Sequence, residues 1–268
     1  MRVAVLGLGE AGSRLAADLV HAGDEVFGYD PAPVPPIAGV SNCESPEAAV
    51  ASCRLALAVT PASRAGALLA KAAKALDDGL IYADLSTGSP GLKESLANQV
   101  AAGGALFVDV ALMAPVLGRG LATPALASGT GAEQYAALIN ARGGRVDVVG
   151  EQAGAAAARK LLRSVVMKGL AALLIESTDA ATRYGQGDWF WNHLVEQFGA
   201  IDEELMKRLV SATPAHAPRR LEEMEAARDL LIELGVPATM TSATLALLHR
   251  LMEDRTPQTI SGVDQVPD

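Results

Sequence analysis

The chain has few of the residues that mark a disulfide-stabilised, metal-binding or membrane-inserted protein. Only two of its 268 residues are cysteines, Cys43 and Cys53, and neither has the spacing or the partner histidines of a metal site. We therefore expect two reduced cysteines and no bound metal. No stretch of eighteen uncharged apolar residues occurs, so the sequence predicts no membrane span.

The charge balance argues against a further group of functions. Acidic residues outnumber basic ones by 31 to 22, the net charge is −9, and lysine and arginine form no run. This pattern does not suit a nucleic-acid surface or binding to anionic membranes. Met1 and Arg2 lead directly into a hydrophobic strand, without a charged segment followed by a cleavable apolar one. We expect a cytoplasmic protein.

The most informative feature is a glycine-rich turn. Gly7, Gly9 and Gly12 stand in G-x-G-x-x-G spacing between a hydrophobic strand and a helix. Gly7 allows the tight turn, Gly9 lets the backbone approach a pyrophosphate, and Gly12 lets the helix pack on the strand. The free N–H groups at the start of the helix would face the phosphates. The residues predicted to contact the cofactor here are Gly7, Leu8, Gly9, Glu10, Ala11 and Gly12.

Asp30, at the end of the second predicted strand, adds to the evidence for a dinucleotide. Its carboxylate can accept hydrogen bonds from the adenosine ribose hydroxyls and would repel a 2′-phosphate. Pro31, Ala32 and Pro33 follow it instead of an arginine, so NAD is predicted in preference to NADP. A tight turn that binds no ligand is the alternative. The complete strand–turn–helix–strand–acid unit argues against that alternative.

The order of strands and helices predicts two domains. Residues 1–150 alternate between the two, which predicts an α/β, Rossmann-type fold with a doubly wound, mostly parallel sheet. Residues 151–255 predict an all-helical domain for substrate binding or dimerisation. A long helix joins it to the first domain. Residues 256–268 predict a loose tail. The predicted strands are Arg2–Gly7, Glu25–Tyr29, Leu55–Thr60, Leu80–Leu85, Ala105–Val110, Pro124–Ser128 and Arg145–Val149. The predicted helices include Ala62–Leu76, Pro90–Ala102, Ala132–Ala141, Gly154–Tyr184, Val195–Ser211, Arg219–Leu234 and Thr239–Met252.

Two loops at the carboxyl ends of predicted strands would border a ligand. In Asp84–Pro90, Ser86 and Thr87 can present hydroxyl and N–H groups to a carboxylate. Ser89 before Pro90 also has the pattern of a helix N-cap, and both interpretations can hold. The second loop, Asp109–Pro115, is mostly apolar and predicts a pocket wall rather than a catalytic group.

The long helix carries few polar side chains, and several of them share a face. At about 100° per residue, Lys160, Arg163 and Ser164 lie on one side, with Lys168 beyond its edge. We expect this helix to be largely buried, where unpaired lysines are rare. An anionic substrate would account for the cations. A solvated strip on the helix surface is the other interpretation.

The chain resembles the β-hydroxyacid dehydrogenase superfamily, which includes 3-hydroxyisobutyrate and 6-phosphogluconate dehydrogenases, over nearly its whole length. The glycine turn matches its cofactor turn, and Asp84–Pro90 is similar to its Asp-x-Ser-Thr-x-Ser-Pro substrate loop. Gly154-x5-Lys160 matches the helix that bears its catalytic lysine. The resemblance implies that Lys160 transfers the proton and that Ser86 and Thr87 contact the substrate.

Some positions depart from the superfamily's pattern. Arg163 and Ser164 stand where it commonly has two asparagines, Asp109–Ala114 replaces Asp-x-Pro-Val-Ser-Gly, and Glu222-Glu223 replaces a C-terminal Lys-Asp pair. The segment from His216 to Met224 resembles a smaller branch of 6-phosphogluconate dehydrogenase-like proteins with a short helical C-terminal domain. The resemblance therefore implies the fold and the cofactor but not the substrate.

The resemblance and the loops together give an expected mechanism. The nicotinamide ring would lie near Thr60 and Pro61, and hydride would leave a small hydroxy acid for NAD⁺ while the Lys160 amine takes the hydroxyl proton. Burial and neighbouring positive charges would lower the pKa of Lys160, and Arg163 would bind the substrate carboxylate. Loss of CO₂ would follow only from a 3-hydroxy acid. The residues predicted to contact the substrate are Ser86, Thr87, Gly88, Met113, Arg163 and Ser164.

Several alternatives stay open at this point. The fold would also suit an imine or ketone reductase, and a non-catalytic NAD-binding regulatory protein would keep the same glycine turn. The Trp189–His193 cluster predicts either core or interface packing, or a cap over the site. His216, Arg219 and Arg220 predict either a second anion-binding group or a basic helix start. The apolar helical half predicts a homodimer through the C-terminal helices, because one copy alone would expose an apolar face.

Overall fold

The first half of the chain builds a single sheet with helices on both faces. The structure is a computed structural model and describes residues 1–253. The strands are β1 (Arg2–Leu6), β2 (Glu25–Tyr29), β3 (Val40–Asn42), β4 (Leu55–Ala58), β5 (Ile81–Asp84), β6 (Leu106–Leu112), β7 (Pro124–Ser128) and β8 (Arg145–Gly150). The helices of this half are α1 (Glu10–His21), α2 (Pro46–Val50), α3 (Ala62–Ala72), α4 (Pro90–Ala102) and α5 (Ala132–Asn140).

The strand order places a topological switch point beside the glycine turn. The sheet runs β3-β2-β1-β4-β5-β6-β7-β8, and its neighbouring strands are parallel except β6 and β7. The chain leaves β1 toward one edge of the sheet and returns to β4 on the other side of β1. Ligands of such sheets bind in the crevice outside the carboxyl ends of the two strands at this point. The predicted doubly wound, mostly parallel sheet is confirmed.

Apolar residues fill both faces of the sheet, as buried parallel strands require. Because side chains alternate between faces, Val3 and Val5 belong to one apolar cluster and Ala4 and Leu6 to another. The first cluster includes the inner faces of α1 and α5, and the second those of α2, α3 and α4. Two layers of helices therefore hold the strand ends, and the loops that follow them, in fixed positions.

The seven predicted strands are all present, with ends that differ by one or two residues. The edge strand β3 and the short helix α2 are absent from the prediction, because elements of three and five residues show no periodicity. The local signal for α2 is its cap. Ser45 accepts a hydrogen bond from the Ala48 N–H at 3.1 Å, and Pro46 is the first helical residue.

The rest of the described chain is helical, with one error in the prediction. The helices are α6 (Ala155–Arg183), α7 (Gly187–Gly199), α8 (Glu203–Ala215), α9 (Ala217–Glu233) and α10 (Thr239–Glu253). The single predicted helix Val195–Ser211 is wrong, because the chain breaks after Gly199. Asp202 then begins α8 by accepting a hydrogen bond from the Leu205 N–H at 2.8 Å. The aromatic segment taken as a break instead forms the first turns of α7.

The chain divides into two compact units, Met1–Ser164 and a second that begins at Val165. In the second unit, the Glu176 carboxylate on α6 accepts hydrogen bonds from the N–H groups of Met240 and Thr241 at 2.7 and 2.9 Å. Burial opposes ionisation of Glu176, but these bonds and one from the Thr241 hydroxyl outweigh it and lower its pKa. Glu176 thus caps α10. The predicted tail, residues 256–268, and the last two residues of the predicted helical domain lie outside the described residues.

A buried ion cluster lies at the edge of the sheet where β1 and β2 begin. The Asp24 carboxylate lies 2.9 Å from the Met1 ammonium and accepts a hydrogen bond from Arg142 Nη2 at 2.8 Å. Burial opposes the charge, but the two cations outweigh it and hold the pKa of Asp24 below its ordinary value. The cluster ties the end of α5 to the starts of β1 and β2, on the edge opposite the glycine turn. In residues 1–253, no helix is long and apolar enough to span a bilayer.

Candidate functional site

Packing within the chain requires glycine at two positions of the turn. Gly7 has φ +101°, and a Cβ there would lie 2.2 Å from the Val59 carbonyl oxygen. A Cβ on Gly12 would lie 1.8 Å from the Gly7 carbonyl oxygen. Any larger residue at either position would force backbone apart, so these glycines let the turn and α1 approach β1 and β4.

Gly9 is different, because nothing in the chain requires it. Its φ is −64°, and an added Cβ would meet no atom within 4 Å. It is the N-cap residue of α1, and no side chain accepts a hydrogen bond from the start of that helix. Open space therefore lies over N–H groups that have no intrahelical partner, which is the arrangement that binds phosphate. Glu10 is exposed and Ala11 half-buried, while the Leu8 side chain packs into the core.

Asp30 links the end of β2 to the glycine turn. Its Oδ2 accepts a hydrogen bond from the Leu8 N–H at 2.7 Å, and its Oδ1 accepts one from the Ala32 N–H at 2.9 Å. An ionised carboxylate offers about four acceptor positions, so both oxygens keep capacity for another donor. The predicted ribose contact fits this geometry and stays a prediction.

A cavity of about 180 Å³ opens at the switch point between β1 and β4. It is lined by Gly7, Tyr29, Pro31, Thr60, Arg64, Ala67, Leu68 and Lys71. The Thr60 hydroxyl is buried and has no hydrogen-bond partner among the described residues, so a ligand in the cavity would satisfy it. Pro61 is the N-cap residue of α3. The sequence analysis missed Arg64 and Lys71, whose signal is their common face on α3.

The predicted substrate loop has one buried and one exposed hydroxyl. Ser86 is buried, and its hydroxyl donates to Asp84 Oδ2 at 2.7 Å. Thr87 is exposed, and Gly88 is buried against the Leu92 side chain. Ser89 accepts a hydrogen bond from the Leu92 N–H at 3.3 Å, which confirms the N-cap interpretation. The Ser86 hydroxyl thus donates within the loop, whereas Thr87 lies at the surface.

Thr87 and Lys160 meet in the first unit. Lys160 Nζ donates a hydrogen bond to Thr87 Oγ1 at 2.9 Å. On the next turn of α6, Arg163 Nη1 donates to the Met113 carbonyl oxygen at 3.3 Å. Thr87 follows β5 and Met113 follows β6, whose carboxyl ends share one edge because the two strands are parallel. Four of the seven predicted substrate and catalytic positions are therefore in contact as two pairs, Lys160 with Thr87 and Arg163 with Met113. Ser164 lies half-buried on the turn after Lys160.

The expectation that α6 is largely buried is wrong for this single chain. Lys160 is half-buried and Arg163 exposed, and Leu162 keeps 69% of its surface exposed. The apolar side chains of this helix are exposed to solvent. Hydrophobic composition predicted burial, because composition does not show whether such side chains find a packing partner within one chain. The cations therefore need no ion pair to be tolerated there.

Beneath the loop lies a buried charge that the sequence analysis missed. Lys93 on α4 is fully buried, with Asp84 Oδ2 at 2.7 Å and Asp109 Oδ1 at 3.0 Å from its Nζ. The available signal was the pair of aspartates on adjacent strands, because two buried carboxylates need a cation between them. No group of three or more His, Cys, Asp or Glu side chains in residues 1–253 could hold a metal ion.

The remaining conspicuous residues lie elsewhere. Trp189 and His193 stack on α7 with ring centroids 5.4 Å apart, and Trp189 borders a cavity of about 290 Å³ within the second unit. His216 joins α8 to α9, and Arg220 Nη1 donates to Thr213 Oγ1 at 2.9 Å. Both cysteines are free, and burial raises the pKa of Cys53 to about 11. A thiol with so high a pKa is unreactive at neutral pH.

Comparison with known proteins matches both halves of the chain. Residues 2–138 match the family described as "NAD binding domain of 6-phosphogluconate dehydrogenase", and residues 181–251 match "Domain of unknown function (DUF1932)". A protein of Methanothermus fervidus, an uncharacterized 28.5 kDa protein in the 7S RNA 5′ region, is 26% identical over 173 residues. That match covers 65% of this chain, and the chain spans 66% of that relative's length.

Two solved structures extend the similarity over the whole fold. One is a conserved protein of unknown function described as structurally similar to 3-hydroxyacid dehydrogenases, at 28% identity, TM-score 0.63 and coverage of 94% of this chain and 97% of its own. The other is the imine reductase from Myxococcus stipitatus in complex with NADP⁺, at 18% identity, TM-score 0.80 and coverage of 96% of each chain. The chain has the NAD(P)-binding, dehydrogenase-like fold.

The different roles of Gly9 and Gly12 give a prediction. Gly12→Ala should destabilise the first unit by about 3 kcal/mol or more, because its methyl group overlaps backbone. Gly9→Ala meets no atom and should cost about 1 kcal/mol or less, yet lower NADH affinity at least about tenfold by filling the space over the start of α1. Thermal denaturation and NADH fluorescence titration measure the two effects. Unchanged NADH affinity in Gly9→Ala would show that the cofactor does not approach this turn.

Proposed function

The chain belongs to the family described as the NAD binding domain of 6-phosphogluconate dehydrogenase, and we propose on that basis that it is an NAD(P)-dependent oxidoreductase with Lys160 as its proton-transferring residue. The family match confirms the predicted resemblance to this superfamily. The observation that carries the proposal is the 2.9 Å hydrogen bond between Lys160 Nζ and Thr87 Oγ1. It lies at the carboxyl edge of the sheet, which is also the edge of the glycine turn and the Thr60 cavity.

The residues at the switch point fit a dinucleotide. The open space over Gly9 suits the pyrophosphate, the Asp30 carboxylate the adenosine ribose, and the unpartnered Thr60 hydroxyl a polar group in the cavity. When bound, the dinucleotide supplies or accepts the hydride. The protein's own part is to bind it, to orient the second substrate and to move one proton.

Lys160 performs the proton transfer in this mechanism. As a free amine, Nζ accepts the proton of the substrate hydroxyl during oxidation, and as an ammonium it returns that proton during reduction. The hydrogen bond to Thr87 fixes the direction of the amine. Arg163 has one N–H on the Met113 carbonyl, and its remaining donors can bind a substrate carboxylate, in a bidentate pair where geometry allows. The proposed substrate is therefore a small hydroxy acid, whose oxidation leads to decarboxylation only if the hydroxyl is on C3.

A second candidate is reduction of a C=N or C=O bond at the same site. The ammonium of Lys160 would protonate an imine nitrogen as well as a carbonyl oxygen, and the fold similarity to an imine reductase favours keeping this candidate. A panel of hydroxy acids with NAD⁺, set against cyclic imines and ketones with NADH, distinguishes the two through the NADH absorbance band. A protein that binds NADH but turns over no member of either panel would be the non-catalytic regulator.

Removing the amine tests the role of Lys160. Lys160→Met should lower turnover about 10²- to 10⁴-fold, the usual contribution of general acid–base catalysis, while NADH affinity stays unchanged. Lys160→Arg keeps the positive charge but cannot lose its proton, so oxidation should fail equally. Lys168→Met is the matched control, since it makes the same change on the exposed surface of the same helix. Normal turnover in Lys160→Met would remove Lys160 from the mechanism.

We propose NAD as the preferred cofactor, because the Asp30 carboxylate would repel a 2′-phosphate. Asp30→Asn removes that charge and can accept only one of the two hydrogen bonds from Leu8 and Ala32. The ratio of NADH to NADPH affinity should therefore exceed one in the parent protein and fall about tenfold in the variant. Fluorescence titration with both nucleotides measures it. Tighter NADPH binding by the parent protein would refute the preference and direct attention to Arg64 and Lys71 in the same cavity.

We also propose a homodimer that forms through the C-terminal helices. Three apolar side chains of the second unit are largely exposed, with 70% of the surface accessible for Ile175, 62% for Trp189 and 62% for Ile232. Apolar side chains so exposed on several helices favour a protein interface. The parent chain should sediment as a dimer at micromolar concentration, and Ile232→Glu should sediment as a monomer with unchanged helical circular dichroism. A parent chain that sediments as a monomer would refute the dimer.

A further inference from the structure

A fully buried group of three charges lies beneath the loop that carries Thr87. Asp84 ends β5, Asp109 stands beside it in the strand register, and Lys93 lies one turn into α4. Their side chains are at most 1% exposed. The proposed mechanism uses none of them.

The Lys93 ammonium lies close to three oxygens from two strands. Its Nζ donates to Asp84 Oδ2 at 2.7 Å and to the Asp84 backbone carbonyl at 3.0 Å, and it lies 3.0 Å from Asp109 Oδ1. The two contacts to Asp84 are hydrogen bonds, and the contact to Asp109 is an ion pair, because Asp109 Oδ1 has no hydrogen-bond partner among the described residues. Asp84 Oδ2 also accepts the Ser86 hydroxyl at 2.7 Å. The group therefore holds the loop at the residue before Thr87.

The other side of the group holds the start of α6. The first residue before that helix is Gly154, which has no side chain to cap it. Asp109 Oδ2 instead accepts a hydrogen bond from the Ala157 N–H at 2.8 Å, and Ser128 Oγ accepts one from the Ala156 N–H at 3.1 Å. Ser128 also donates to Asp109 Oδ2 at 3.3 Å. A carboxylate here is favoured by the positive end of the helix dipole.

A close backbone approach completes the link between the two segments. Gly154 has φ +94°, and a Cβ on it would lie 2.9 Å from Pro90 Cα, so α6 begins in contact with the first residue of α4. Lys160 follows within two turns of that contact. The Thr87 loop is hydrogen-bonded to Asp84, and the start of α6, which carries Lys160, is hydrogen-bonded to Asp109. The two partners of the Lys160–Thr87 hydrogen bond are thus held by one group of buried carboxylates.

We propose that Asp109, with Ser128 and Lys93, positions Lys160 against Thr87 by fixing the start of α6 relative to the loop. The proposal rests on the proposed function for its catalytic consequence and assigns these residues no contact with substrate or cofactor. They are positioning residues, and their effect travels through the helix start.

Stability alone is a poor explanation for this group. Burying three charges carries a large desolvation cost, and apolar side chains of similar volume often give equal or greater stability. What an apolar set cannot supply is a directed acceptor for two N–H groups at a helix start. Asp109 can serve both sides because Oδ2 accepts the Ala157 N–H while Oδ1 forms the ion pair with the Lys93 ammonium. An asparagine there would turn an NH₂ group toward either the Lys93 ammonium or the Ala157 N–H.

The experiment compares two variants of this group with a matched control. Asp109→Asn removes either the helix cap or the Lys93 contact. Ser128→Ala removes one cap oxygen and the hydroxyl donor to Asp109 Oδ2, and it leaves the three charges intact. Asp24→Asn is the control, because it disrupts a buried ion cluster in the same unit at the opposite edge of the sheet. All three are compared at matched folded fraction, measured by thermal denaturation.

The first readout is the division between turnover and cofactor affinity. Ser128→Ala and Asp109→Asn should lower kcat about 10- to 100-fold, the loss expected for a misplacement near 1 Å, with unchanged NADH affinity and a shifted pH dependence of kcat. Asp24→Asn should keep the kcat and the pH profile of the parent protein. Equal kcat in all three variants would overturn the proposal.

The second readout does not need turnover. Lysine side chains are dimethylated with ¹³C-formaldehyde, and the Lys160 resonance is assigned by its absence from Lys160→Arg. Its chemical shift and pH midpoint should move toward those of exposed lysines in Ser128→Ala and Asp109→Asn but not in Asp24→Asn. If no substrate is turned over but this shift appears, the proposed function fails and the positioning role stands. If the resonance does not move, or if both variants unfold where Asp24→Asn stays folded, the group serves stability alone and the positioning role is refuted.

Discussion

The first N–H groups of every helix have no hydrogen-bond partner within that helix. The structure depends on which groups accept hydrogen bonds from them. Two of these helix starts differ in how those N–H groups are used. At α1 the N-cap is Gly9, no side chain accepts its N–H groups, and the space above is open. At α6 the N-cap is again glycine, but Ser128 and Asp109 fill the place of a ligand. One start is left available to a phosphate, and the other is used to anchor a lysine.

The β1–β4 side and the β5–β6 side of the sheet carry different sets of site residues. The β1–β4 side holds the glycine turn, Asp30 and the cavity with the unpartnered Thr60 hydroxyl, all suited to a dinucleotide. The β5–β6 side holds Thr87, Lys160 and the buried charges beneath them. Because both sets of strands are parallel and packed on both faces, their loops stay in fixed register. The same core thus places the glycine turn and the loop that carries Thr87.

The sequence predicted what local rules determine. Glycine spacing, an acid after β2 and alternating hydrophobic runs gave the fold and the cofactor turn, since each arises within about thirty residues. It missed Lys93 because that role depends on Asp84 and Asp109, which only sheet register brings together. It could not show that the Ser86 hydroxyl donates to Asp84, and the predicted contact of Ser86 with substrate stays a prediction. Likewise the burial of α6 was overestimated, because hydrophobic composition does not show which faces find a partner within one chain.

Arg163 bears most directly on the choice between the two candidate reactions. Its superfamily position commonly holds asparagine, which is neutral, whereas this chain places an exposed guanidinium there with one N–H on the Met113 carbonyl. A fixed positive charge opposes protonation of an imine beside it. A carboxylate gains a charge-assisted and directional hydrogen bond. Arg163 therefore supports the proposal that the substrate is an acid.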